Sequence, residues 1–188
     1  MTDSSTKVVE LSRDCTVVLI PSGRPATLSQ GDEVTVVQDL GGSFTVATRR
    51  GLLARVDGKD GDALGLTAQG LEAGQMGPAG PAGGPFALES VIEQLRTVFD
   101  PEIPVNVVDL GLVYSCEATA LSTGGHRVEI TMSMTAPGCG MGDVLREEAA
   151  SKVSSLEGVA EVDVELVWDP PWDLSRISEE ARLELGLW

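Results

Sequence analysis

Residues 65–85 read Gly-Leu-Thr-Ala-Gln-Gly-Leu-Glu-Ala-Gly-Gln-Met-Gly-Pro-Ala-Gly-Pro-Ala-Gly-Gly-Pro. A stretch so rich in glycine and proline, with so few large apolar side chains, cannot bury a core of its own. It predicts a flexible linker between two modules, residues 1–64 and 86–188. At about 60 residues the core of the first is marginal, so it is expected to lean on the second domain or on another subunit. Two Gly-Pro-Ala triplets are too few for a collagen triple helix, which needs the period sustained.

Ahead of the linker the chain is strand-rich. Thr16–Ile20 is an apolar run ended by Pro21-Ser-Gly23, and Val34–Val37 ends at Asp39-Leu-Gly-Gly42. Ser43–Thr48 alternates and turns at Arg49-Arg-Gly51, and Leu52–Val56 stops at Asp57-Gly58. Short strands separated by turn signals predict a small antiparallel, barrel-like module over 1–64. No catalytic constellation is visible there, and Cys15 reads as a small half-buried residue at a strand start.

After the linker the period changes. Leu88, Val91, Ile92, Leu95, Val98 and Phe99 form one stripe of an amphipathic helix that Asp100-Pro101 ends. Asp100–Val105 is an extended loop, and Val107–Tyr114 reads as a strand continuing to about Glu117. Thr123-Gly-Gly125 turns into a strand over 127–134 with Val128, Ile130, Met132 and Met134 inward. A helix of roughly 141–155 follows, then the alternating strand Val162–Trp168, stopped by Asp169-Pro-Pro171. Ser178 and Gly186 bracket a last short helix as N-cap and stop. The order helix, strand, strand, helix, strand, helix predicts an α+β layer, one small mixed sheet with helices on one face.

Charge and cysteine usage exclude several functions. Acidic residues outnumber basic ones 29 to 13, a formal net charge of −16. Residues 86–188 carry −13 of it. Nucleic acid and anionic membrane surfaces both need a basic patch and are excluded as partners. The excess acid serves solubility or docking to a basic partner surface. The N-terminus shows no cationic stretch followed by an apolar core, and no apolar run approaches ~18 residues, so neither a signal peptide nor a membrane span is expected. Three cysteines, Cys15, Cys116 and Cys139, with no Cys-x-x-Cys spacing, make neither a disulfide framework nor a self-sufficient tetrathiolate site. A reducing cytoplasm is the expected compartment.

Chemistry concentrates on loops. Pro137-Gly138-Cys139-Gly140 lies between a strand and a helix. A cysteine at a helix N-terminus meets unpaired N–H groups and the positive end of the helix dipole. That setting favours the thiolate, which ligates metal or attacks an electrophile. The other reading is a turned corner with sulfur filling a gap. Asp109 interrupts an apolar run, so its carboxylate either ties down the neighbouring loop or faces the Cys139 turn as metal ligand or proton acceptor. Thr135 bonds the thiolate or only ends the strand. Cys116 reads as packing. Trp168 and Trp172 flank Asp169-Pro-Pro171 and either cover the cysteine loop or close the core. His126, the only histidine, leaves a Cys–His pair or a Ser–His–Asp triad with a single candidate base, and no phosphate loop is present. An enzyme is therefore not expected.

Asp100-Pro-Glu-Ile-Pro-Val105, Asn106–Tyr114, Met132-Ser-Met-Thr-Ala-Pro-Gly-Cys139 and Trp168-Asp-Pro-Pro-Trp172, in that order over 86–188, resemble the iron–sulfur assembly domain of the SufT/PaaD-like family. The added N-terminal module and Gly/Pro linker resemble the full-length SufT branch. The resemblance implies an auxiliary factor in iron–sulfur protein maturation, with Suf-type assembly proteins and apo client enzymes as partners. It places the family's reactive cysteine on Cys139 and its acidic residue on Asp109.

A cluster usually needs four thiolates or equivalents. One Cys139 per subunit implies transient binding of a cluster or of iron, shared across a homo-oligomer, with a partner's thiols or with a small thiol, and no permanent cofactor. The expected site is Cys139 with Asp109 as cluster or iron contacts and Thr135 in support. Docking loops are expected at Glu102, Pro104 and Asn106, and at Trp168, Pro171 and Trp172. The alternative is an adaptor that links assembly machinery to clients without using the thiol.

Overall fold

A computed structural model describes residues 7–66, 86–136 and 140–187. The chain divides into two compact units, Met1–Met76 and Gly77–Trp188. The division falls inside the expected linker, of which residues 67–85 lie outside the described residues, as do Pro137, Gly138 and Cys139.

The first unit is a six-stranded antiparallel sheet. Its strands are β1 (Lys7–Glu10), β2 (Cys15–Ile20), β3 (Arg24–Leu28), β4 (Glu33–Leu40), β5 (Ser43–Thr48) and β6 (Leu53–Asp57). They lie in the order β1-β4-β5-β6-β2-β3. A 3-10 helix, Gly58–Leu64, follows β6. Alternate residues Val17, Phe44, Val46, Ala54 and Val56 meet Ala63 and Leu64 of that helix in one core, against which Leu66 also packs. The helix is tied back by Arg13, whose guanidinium bridges Asp60 and Asp62 at 2.8 and 2.7 Å.

The second unit is the α+β layer. It comprises α1 (Leu88–Leu95), β7 (Val113–Ala120), β8 (His126–Met132), α2 (Gly142–Ser154), β9 (Val159–Leu166) and α3 (Glu179–Leu185). The sheet order is β7-β8-β9, antiparallel at the first pair and parallel at the second. The parallel pair needs a crossover, and α2 supplies it. Val128, Ile130 and Met132 are buried, as the alternation requires, and Met134 is buried past the end of β8, which stops two residues short of the expected strand. They join Val91 and Leu95 of α1 and Leu145, Ala149 and Val153 of α2 in a single core. Ser178 Oγ accepts the Ala181 N–H at 3.2 Å, and Gly186 ends α3 in the left-handed region.

The expected strand from Val107 is a turn, and β7 starts only at Val113. The cause is Asn106. Its Oδ1 accepts the N–H groups of Val108 and Asp109 at 3.1 and 2.9 Å, which offers the backbone an alternative to a sheet ladder. Leu110 N–H then bonds Asn106 O at 2.9 Å, and Gly111, at φ 68°, reverses the chain. Val107, Leu110 and Leu112 still fill the core, but from a turn. The α1 stripe likewise outlasts its helix: Val98 is buried beyond the last turn, and Phe99 bridges to Asn106.

Candidate functional site

Two proline-rich loops and the turn between them hold most of the expected residues. The first loop is built on Asp100, which is 2% exposed. Its Oδ1 accepts the N–H groups of Glu102 and Ile103 at 2.8 and 2.9 Å, an Asx turn that folds the Pro101–Pro104 segment back on itself. Glu102 and Pro104 are exposed and Asn106 is half-buried. Reading the sequence did not single out Asp100. The available signal was an aspartate two residues before a free N–H, in Asp-Pro-Glu.

Asp109 follows at the turn, with its side chain 20% exposed. Arg96 Nη1 lies 2.6 Å from Oδ1, and Asn106 Nδ2 donates to Oδ2 at 2.6 Å. Both carboxylate oxygens are thus engaged, which is the loop-tying role. An iron contact by Asp109 would have to displace the guanidinium or the amide.

The second loop is clasped onto that turn. Trp172 Nε1–H donates to Leu110 O at 2.8 Å, and Tyr114 Oη–H donates to Pro170 O at 2.9 Å. Ser178 N–H donates to Asp109 O at 2.8 Å, and the Arg176 guanidinium sits 4.0 Å from the centre of the Tyr114 ring. Trp172 packs half-buried against the core, whereas Trp168 and Pro171 are exposed. The two tryptophans therefore have different roles: one fastens the loop and the other faces solvent.

Asp173, in the same loop, gives a pH test of the clasp. Asp173 accepts the Ser175 N–H at 2.7 Å, and hydrogen bonding from Ser175, from its side chain first and its N–H second, with Arg176 and Arg182 adding to it, holds its carboxyl below the usual carboxylate range. A depressed folded-state value means stabilisation present above the ordinary range and lost as pH falls through the folded value. Asp173→Asn should therefore lower the thermal midpoint near neutral pH, with the difference from the wild type shrinking below about pH 4. A difference independent of pH would contradict it.

Cys139 lies outside the described residues, so its distance to Asp109 does too. Its flanks are placed. Thr135 is half-buried and Gly140 exposed. Helix α2 starts at Gly142 with no side-chain cap on its first turn. Ser133, 1% exposed, has an Oγ without a hydrogen-bond partner among the described residues. Burial pushes the thiols of both other cysteines up, helped at Cys15 by Asp60. Cys15 and Cys116 should therefore alkylate more slowly than a free thiol at neutral pH, as read by mass spectrometry of the folded protein. Labelling of either at the rate of a free thiol would contradict the placement. Among the described residues no group of three His, Cys, Asp or Glu is set to hold a metal ion, and no helix is long and apolar enough to cross a membrane.

Residues 88–164 match the family described as iron-sulfur cluster assembly protein. The chain is 46% identical over 98 residues to an Fe-S protein maturation auxiliary factor of Porphyromonas gingivalis, covering 52% of this chain and 90% of that one. It is 33% identical over 99 residues to the Fe-S protein maturation auxiliary factor YitW of Bacillus subtilis, covering 53% and 93%. It is 29% identical over 90 residues to the auxiliary factor SufT of Staphylococcus aureus, covering 48% and 98%. With nine-tenths of a relative spanned at that identity, and the α+β unit containing the matched segment, the chain belongs to the iron–sulfur cluster assembly protein family.

Proposed function

We propose that this protein is a non-enzymatic auxiliary factor in the maturation of iron–sulfur proteins. The observation that carries the reading is the 46% identity to a maturation auxiliary factor over nine-tenths of that protein. Cys139 makes the transient contact with an iron–sulfur cluster or iron, which is cargo and not a resident cofactor. Transfer is ligand exchange: a client thiolate replaces the Cys139 thiolate on iron, and no electrons are transferred. The raised thiols of Cys15 and Cys116 favour Cys139 for this part. Asp109 acts by holding the Asn106 turn, and Thr135 supports the cysteine loop from its strand side. The exposed Glu102, Pro104, Trp168 and Pro171 form the docking loops. Suf-type assembly proteins and cluster-requiring apo-enzymes are the partners, and the setting is the cytoplasm.

The test is anaerobic reconstitution with ferrous iron and sulfide, read by visible absorbance and by transfer to an apo-ferredoxin. The wild type, Cys15→Ala and Cys116→Ala should load and transfer, and Cys139→Ala should not. Equal transfer by Cys139→Ala would replace this reading with that of a thiol-independent adaptor.

A further inference from the structure

We propose that the outer edge of β7 is a strand-addition site for an extended, basic segment of a partner protein. The register shows which groups are available. Leu121 N–H bonds Gly125 O at the hairpin end, so the hydrogen-bonded pairs with β8 are those of Thr119, Glu117 and Ser115. The main-chain N–H and C=O groups of Cys116, Ala118 and Ala120 therefore point away from β8. None has a backbone partner among the described residues.

An open edge is a pairing template unless it is blunted by charge, proline or a bulge. The other edges of this chain are blunted. Strand β3 carries Arg24 and Pro25, β1 carries Lys7 and Glu10, and β9 carries Glu161, Asp163 and Glu165. Between Cys116 and Ala120 strand β7 has one charge, Glu117, and no proline; its bulge lies earlier, between Val113 and Ser115.

The chemistry of the occupant follows from the solvent face. Glu117 stands opposite Glu129, and Glu129 opposite Asp163, so three carboxylates cross the sheet in one row. Glu161 and Glu165 lie in the flanking rows on the same face. Like charges directly opposite are destabilising. Arg127, at 3.7, 3.7 and 3.4 Å from Glu129, Glu161 and Asp163, is the one cation among them. These contacts are exposed and each is worth little. A strand laid along β7 with Lys or Arg at every second position puts those cations beside Glu117 and next to that row. Its alternate residues lie beside Cys116 and Ala118, which pack against the core. A second copy of this chain fits poorly, because β7-to-β7 pairing would set two such acidic faces side by side. The inference uses neither Cys139 nor its loop, so it stands or falls apart from the cargo reading.

The test uses the full chain and two acetylated heptapeptides, one alternating lysine and valine, the other glutamate and valine. The lysine peptide should slow amide exchange at Cys116, Ala118 and Ala120 by about tenfold or more. The glutamate peptide should not. Ala118→Pro, checked for unchanged α1 and α2 amide signals, should abolish the effect, and Glu117→Lys with Glu129→Lys should shift preference to the glutamate peptide. Absence of protection on β7, equal response to both peptides, or unchanged binding by Ala118→Pro would each overturn the proposal. Sedimentation showing a dimer that Ala118→Pro dissociates would overturn it in favour of a second copy as occupant.

Discussion

Gly111→Ala is expected to destabilise the second unit by about 3 kcal/mol or more, a fall in its thermal midpoint on the order of 10 °C. Two costs combine. The residue sits at φ 68°, where a Cβ alone costs about 1 kcal/mol. The added carbon would also lie 2.2 Å from Arg176 O and 2.7 Å from Arg176 C. Those are backbone atoms, so no rotamer relieves the overlap. The whole 170–178 segment must lift, which breaks the Ser178–Asp109 and Trp172–Leu110 bonds and the Arg176–Tyr114 contact. Gly124→Ala is the control: φ is 95°, but no heavy atom lies within 4 Å of the new Cβ, so only the backbone cost remains. Equal midpoints for the two variants would show that the clasp is not packed on Gly111.

Asp100→Ala should cost about 2–4 kcal/mol, because it strands the N–H groups of Glu102 and Ile103 beneath a buried side chain. Asp100→Asn keeps an acceptor oxygen and should lose about half as much. Thermal or urea denaturation of the two variants measures this. The same substitution releases the loop that presents Glu102 and Pro104, so amide exchange there should rise before global unfolding. Identical losses for Asn and Ala would mean that the carboxylate's charge, and not its acceptor geometry, holds the loop.

The parts legible in the sequence are those where one local rule acts alone. The alternation from Val128 to Met132 found a strand with its inward set, and Ser178 and Gly186 bounded α3 to the residue. The parts that were not legible are contests between rules. Val107–Leu112 has the apolar content of a buried strand, but a single side chain, Asn106, captured two N–H groups and turned it. Strands β1 and β3 were missed because they are short, polar edge strands; β1 pairs with β4, distant in sequence, and β3, the second arm of a hairpin with β2, opens on Arg24-Pro25, which does not read as strand. Asp109 was legible as an anomaly. Its partner Arg96, thirteen positions away, is one that no local pattern predicts. The clasp joins residues about 60 positions apart, Leu110 to Trp172, and no local pattern encodes such a contact.

The account turns on the thiol of Cys139. The most direct measurement is the activity of a cluster-dependent enzyme such as aconitase in cells lacking this protein, complemented with wild type or with Cys139→Ala at equal protein levels. The account predicts that only the wild type restores activity. Restoration by both would contradict it and leave the adaptor role in its place.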